Sequence, residues 1–259
     1  MDLSRLNLPS SDQLIVSFSK CKKVEDRFYL LDRLLAQFVY TNINEAVKYL
    51  EKLKKLHSYD LDASINLAYF WYKALLENQK YQYKKANDNF LKAVKYANES
   101  NDAHVKASLM IDQVGTCINL NKMDEAEVLI EKAKKILKKH PSPPLNARII
   151  SREAFIQLHY ANYPRAIDAF LKASKIIRNF PSHEVTHKDL FFLQIIQAGL
   201  GNLYEIIGEA DKSIAAYQQA IELAEVSGIK TRLSWLCLFV GKGYLVLSNV
   251  EMASLFFEK

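Results

Sequence analysis

Glycine and proline are scarce in this chain, 7 and 6 among 259 residues. Sheets of many short strands need tight turns, and tight turns draw on these two residues. Their scarcity argues against an all-β architecture and suits long helices joined by short connections. Cysteine is scarcer still: Cys21, Cys117 and Cys237 lie far apart and form no CxxC pair. That spacing argues against a disulfide framework or a thiolate zinc site and fits a reducing compartment. No apolar run approaches the ~18 residues of a membrane span. The longest near the N-terminus is Leu14-Ile15-Val16, with no basic lead into it, so no secretory signal is read and the expected location is cytoplasmic. The P-loop, GxSxG and dinucleotide-type GxGxxG patterns are absent as well, and no cofactor is expected.

What the chain has is a beat. Ala46, Ala86, Ala126 and Ala166 stand 40 residues apart, Ser213 and Ala253 repeat that interval, and one gap of 47 separates the two sets. A fixed period of this size marks a repeat array, which builds surface and points to binding before catalysis. Hydrophobic residues at 49% and aromatics at 11% suffice for its core. Each interval holds two apolar faces at helical spacing separated by a polar break, as in Phe28, Leu31, Leu35 and Phe38, then Thr41-Asn42, then Ala46, Leu50 and Leu53. Ser10 and Gln13 have capping-box spacing and predict a lone N-terminal helix that shields the first repeat. Pro141-Ser142-Pro143-Pro144 reads as a rigid turn inside the array. The expected organisation is a capping helix over residues 1–24 and six repeats at 25–59, 60–101, 102–141, 142–181, 182–228 and 229–259. The last stops in mid-helix, so the expected parent protein is longer.

The small and aromatic positions resemble the tetratricopeptide repeat. Gly201, Tyr204, Gly208, Ser213, Tyr217 and Ala220 follow its pattern in the fifth interval, and Gly241, Tyr244, Ala253 and Phe257 in the sixth. Ala154, Ala166, Phe170 and Ala173 do so in the fourth, Ala74, Ala86, Phe90 and Ala93 in the second, and Gly115, Ala126 and Ala133 in the third, with Gly115 out of step by one. The first interval is degenerate, with Leu34 and Leu53 at two of the small positions. The resemblance covers about residues 25–259 and implies an all-α, right-handed α-α superhelix of about six hairpins. The longer period is similar to that in bacterial signalling proteins. There such arrays precede histidine kinase, phosphatase, cyclase or DNA-binding output modules. What the resemblance implies is therefore a non-catalytic protein- or peptide-binding scaffold that acts on a downstream output domain.

Carried over position by position, the family's concave groove is lined here by Trp71, Asn119, Arg148, Ser151, Arg152, Phe155, His159, Asn202, Glu205 and Lys242. Arg148 and Arg152 stand one helical turn apart and could grip a carboxylate or phosphate. The Lys-and-Asn pairing of chaperone-tail clamps is missing from every unit. Gly199 and Gly201, and Gly241 and Gly243, read as helix-packing glycines, and Tyr69-Phe70-Trp71-Tyr72 as core plus interface.

Two other chemistries need weighing. His183-Glu184-Val185-Thr186-His187 spells HExxH inside the one lengthened interval, and on a helix it would offer zinc two imidazoles and a base. Lys188 and Asp189 follow it and the HxxGxxH extension is absent. The competing reading is a two-turn extension of the next helix, capped by Ser182. The net charge of +6 invites nucleic acid, but lysine runs such as Lys52, Lys54 and Lys55, or Lys132, Lys134, Lys135, Lys138 and Lys139, alternate with apolar residues as on a solvated helix face. A zinc-dependent hydrolase and a basic nucleic-acid-binding solenoid stand as the alternatives.

Overall fold

The computed structural model describes residues 8, 10–56, 62–99 and 102–259, and these hold thirteen α-helices and no strand. Two compact units divide them, Leu8–Ile149 and Ile150–Lys259. The expected repeat boundaries at 59/60 and 101/102 fall on or beside residues outside the described ones. The first unit holds α1 (Ser11–Lys20), α2 (Val24–Thr41), α3 (Ile43–Lys54), α4 (Asp62–Gln79), α5 (Tyr83–Glu99), α6 (Ala103–Asn119) and α7 (Met123–Lys139). Helix α8 (Pro143–His159) opens on the two prolines and carries the unit boundary; the second unit continues with α9 (Tyr163–Arg178), α10 (His187–Ile206), α11 (Ala210–Ser227), α12 (Leu233–Val246) and α13 (Val250–Phe257).

The period is written into the hairpin turns. Between α4 and α5, α6 and α7, α8 and α9, α10 and α11, and α12 and α13, the chain passes through a left-handed residue: Tyr81, Asn121, Ala161, Gly208 and Ser248, with φ between 55° and 80°. The next amide then donates back five residues, as Gln82 to the Glu77 carbonyl at 2.9 Å, Asn162 to Gln157 at 2.9 Å and Glu209 to Tyr204 at 2.8 Å. This is the Schellman closure, which satisfies carbonyls the first helix leaves open. The residue making that bond is also the cap of the second helix. Its carbonyl accepts from the amide four residues on, and that amide belongs each time to the small residue of the beat: Ala86, Ala126, Ala166, Ser213 and Ala253, at 2.9–3.1 Å. The first hairpin dispenses with the left-handed residue. Asn42 ends α2 and caps α3 directly, its side chain accepting from Glu45 N at 3.1 Å.

Small residues sit there because the helices of a pair nearly touch. Ala46, Ala86, Ala126 and Ala166 are fully buried. Across the contact, a Cβ on Gly201 would lie 2.8 Å from the Tyr217 ring, and Ser213 Oγ donates to the Gly201 carbonyl at 2.9 Å. Glycines 199, 241 and 243 meet Phe170, Phe257 and Ile214 as closely. In the third hairpin Val114, fully buried, holds the register of Ala74 and Ala154, and the neighbouring Gly115 is only half-buried. The larger valine is accommodated because α7 places Ile130, not an aromatic ring, at the facing position.

Two expectations about helix starts need correction. Ser10 does cap α1, but it accepts from Asp12 N at 3.3 Å and no reciprocal bond from Gln13 forms the box. Ser182 caps nothing: residues 182–184 form a turn, and α10 begins at His187. Thr186 is its cap, accepting from Asp189 N at 3.2 Å while the Asp189 carboxylate accepts from Thr186 N at 3.0 Å. A complete capping box satisfies two amides at once, which a lone serine after proline cannot match.

The turns give a paired prediction, read from urea unfolding midpoints. Nothing lies within 4 Å of a Cβ built on Gly208, so Gly208→Ala is opposed only by its left-handed backbone and is expected to cost about 1 kcal/mol. Ala161→Gly relieves the same strain and is expected to stabilise by about 0.5 kcal/mol, since Gly at this cap is favoured over Ala. A Gly208→Ala midpoint at or above that of the unaltered chain, or a lowered midpoint for Ala161→Gly, would show that these turns are not under backbone control.

Candidate functional site

In the first unit the 40-residue interval also places polar side chains. Asp32 on α2, Tyr72 on α4 and Asp112 on α6 stand 40 residues apart, at one register of three successive first helices. Tyr72 Oη donates to Asp32 Oδ1 at 2.8 Å and to the Asp32 carbonyl at 3.0 Å. One residue back, Trp71 Nε1 donates to Asp112 Oδ2 at 2.8 Å. Helix α4 therefore reaches backward through Tyr72 and forward through Trp71. A third bond lies further along the same helices, Asn78 Nδ2 donating to Thr116 Oγ1 at 2.8 Å. Burial raises the Asp32 carboxyl above its ordinary range, opposed by the Tyr72 hydrogen bond. Tyr72 is pushed well up by burial and by the neighbouring Asp32 charge. Such a ladder fixes side chains of mixed aromatic and acidic character along one face, the kind of preorganisation that selective binding requires.

The run Tyr69-Phe70-Trp71-Tyr72 divides as its helical geometry demands. Phe70 stacks on Tyr96 of α5 at 5.9 Å and meets Tyr69 edge-on at 5.2 Å. Trp71 and Tyr72 make the polar contacts just described.

The remaining groove candidates meet different fates. Asn119 is exposed at the end of α6, and Arg148 is buried, at 8% exposure. In the second unit Ser151 is buried, and the Arg152 guanidinium lies 4.8 Å over the ring of Phe192. Phe155 turns inward and packs edge-on against Phe170 at 4.8 Å, so it belongs to the hairpin core. His159 is exposed beside Tyr160, their rings 5.5 Å apart, and Asn202 is half-buried. Glu205 is exposed and accepts from Tyr217 Oη at 3.4 Å, which together with burial raises the tyrosine well above its ordinary value. Lys242 is exposed and holds its ammonium 4.6 Å over Phe239.

Asp32, Tyr72 and Asp112 were reachable from the sequence by one further step: counting the 40-residue interval from polar residues as well as from small ones.

The HExxH residues do not share a helix. His183 and Glu184 lie in the turn, with the His183 side chain 79% exposed, while His187 is buried as the first residue of α10. Two imidazoles on one helical face are what that motif supplies to zinc, and this geometry does not supply them. Among the described residues no group of three or more His, Cys, Asp or Glu side chains is placed to hold a metal ion.

No protein-family model matches the chain, and no curated protein matches its sequence. Solved structures do match its fold. NprR in complex with its cognate peptide NprX is similar at a TM-score of 0.67 and 16% identity, over 95% of this chain and 70% of that one. A Rap protein complexed with competence and sporulation factor gives 0.70 and 9%, over 96% and 71%. A signal-transduction ATPase with a tetratricopeptide repeat sensor, from Pyrococcus horikoshii, gives 0.64 and 21%, this chain spanning 96% of itself and 38% of that protein. The fold is of the tetratricopeptide type. Its class is the all-α α-α superhelix of stacked hairpins, and the degenerate first interval and the off-step Gly115 are local departures within this tetratricopeptide pattern.

Burial of His187 generates a test of the start of α10. Burial disfavours the imidazolium, so the folded-state pKa lies below the ordinary histidine value. The unfolded chain then binds the proton first, and stability is lost as pH falls through that ordinary value, about 6.5. His187→Gln is expected to shrink the drop in melting temperature between about pH 7.5 and 5.5. An unchanged drop would mean that another group carries it.

Proposed function

We propose that this chain is a non-catalytic protein- or peptide-binding scaffold that takes an extended segment along its first-helix face. The observation that carries the reading is the Asp32–Tyr72 and Trp71–Asp112 ladder, which holds aromatic and acidic side chains in register on successive first helices. Stacked hairpins offer such a face at regular steps, which suits spaced side chains of an extended ligand. Two structural neighbours support it, one in complex with its cognate peptide and one complexed with competence and sporulation factor. A third carries a tetratricopeptide sensor within a signal-transduction ATPase. By that analogy the chain serves as the sensor or regulatory region of a bacterial signalling protein, coupled to an output domain such as a kinase, phosphatase, cyclase or transcriptional regulator. Hairpins α2–α3, α4–α5, α6–α7, α8–α9, α10–α11 and α12–α13 are its repeat units. Three free cysteines, two of them buried, favour a cytoplasmic setting.

The test is selection of peptides from a random displayed library on the whole chain, followed by calorimetry of the enriched sequences. Trp71→Ala and Asp112→Asn are expected to weaken the selected peptides by about tenfold or more, as removal of an anchoring aromatic does at a binding face. Circular dichroism checks that both variants fold. Failure to enrich any peptide, or affinities indifferent to both substitutions, overturns the reading.

A further inference from the structure

The second helices carry a pattern that the packing of hairpins does not require. Lys52, Lys92, Lys132 and Lys172 stand 40 residues apart, and so do Lys55, Lys95, Lys135 and Lys175, three residues further along. In the first unit they form two rows, one pair each at α3, α5 and α7, and in the second unit α9 carries its pair at the same register. The rows then stop: α11 has Gln219 and Glu222 there.

Helix-dipole complementation does not explain them. That effect is confined to the last turn of a helix, and Lys92 and Lys132 each lie seven residues before the ends of α5 and α7. Internal pairing does not explain them either. Exposed Lys55, Lys92, Lys95, Lys132 and Lys135 have no carboxylate within ion-pairing distance among the described residues, although Lys134 beside them pairs with Glu131 at 3.0 Å. Two lysines of the rows lie over rings: half-buried Lys52 holds its ammonium 4.5 Å over Tyr49 and 5.2 Å over Phe18, and exposed Lys92 lies 5.5 Å over Phe70.

The surroundings indicate which anion fits. Helices α3, α5 and α7 contain no arginine, the residue suited to forked recognition of phosphate. Their most exposed apolar side chains are aliphatic, Leu91 at 52% and Val128 at 53%, and offer no ring for bases to stack on. Leu91 directly precedes Lys92, and Leu171, 49% exposed, directly precedes Lys172. Ammonium groups beside exposed aliphatic groups complement a segment that interleaves carboxylates with aliphatic side chains.

We propose that the paired lysine rows of the second helices dock an acidic protein segment bearing aliphatic side chains among its carboxylates. This surface goes beyond the first-helix face of the preceding section and does not depend on it.

The experiment measures fluorescence anisotropy of a labelled Glu/Leu peptide, and of a labelled duplex DNA of equal negative charge, against the full chain at low salt. The variant K92E/K95E/K132E/K135E is expected to bind the peptide at least about tenfold more weakly, and the neutral K92Q/K95Q/K132Q/K135Q to show a smaller loss of the same sign. A control off the rows, K20E/K22E/K106E/K230E, changes net charge equally and is expected to keep most of the affinity. Trp71→Ala is expected to leave peptide binding unchanged, which separates this surface from the first-helix face. Equal loss in the control, no binding by the unaltered chain, or duplex DNA binding as tight as the peptide and lost with the same lysines each overturns the proposal.

Discussion

A bulky side chain of one helix seated against a small residue of its partner is the contact on which most of the hairpins depend. The third hairpin carries Ile130 and Val114 at those positions instead. In each pair the second helix lies so close to the first that only glycine, alanine or serine fits at its fourth residue, and an aromatic or aliphatic side chain one turn later fills the space beyond. Phe90, Phe170 and Tyr217 are fully buried in that role. Around Phe90 gather Leu67, Ala74, Ala93, Ala97 and Leu109, and around Tyr217 gather Ala220, Leu236, Cys237 and Val240. Each cluster joins one pair to the first helix of the next, so intrahairpin closeness and hairpin stacking rest on the same rings. Close packing of this kind transmits any change in volume at once.

The turn geometry follows from that closeness. In these five hairpins the second helix must start after only three intervening residues and leave in the opposite direction. The left-handed residue with its five-residue back-bond does this, whether it is Tyr81, Asn121, Ala161, Gly208 or Ser248. Tyrosine and alanine tolerate a conformation that costs them roughly 1 kcal/mol, because the helices they join bury far more. With pairs fixed in this way, equivalent residues recur at equal steps along the first unit, and in the second with one step lengthened before α10. Function can then be written as rows: carboxylates and aromatic rings on the first helices, ammonium groups on the second.

The period, the helical class and the pairing were legible because small residues at fixed intervals have one strong structural cause. Polar rows were as regular but less visible, since a tyrosine stands between the two aspartates of the row and the bond to Asp112 comes from Trp71, one residue off it. The lysine runs read in the sequence as local clusters, whose alternation with leucine and alanine fits a solvated face first and an acidic partner second; their recurrence at 40 residues is what turns them into rows. Gly115 stood one residue off step in the sequence, and the fold gives the reason: Val114, fully buried, holds the register of Ala74 and Ala154. The seven extra residues before α10 misled more. Thr186 and Asp189 carry the true capping signal, but Thr186 lies inside the HExxH string and competes with Ser182 after a proline. The contact of Arg152 with Phe192, 40 residues on, is visible only in the fold, because a register that follows the small residues steps by 47 across that insertion.

Thermal unfolding of two single variants probes the helix contact itself. Ala166 is fully buried at the fourth residue of α9's hydrogen-bonded ladder, and Lys139 is exposed at the end of α7. Ala166→Phe forces a ring into a space that holds a methyl group and should lower the melting temperature markedly, by the equivalent of about 1–3 kcal/mol or more. Lys139→Ala should leave the melting temperature almost unchanged. Equal shifts in the two variants would mean that the evenly spaced small residues do not hold the hairpins together.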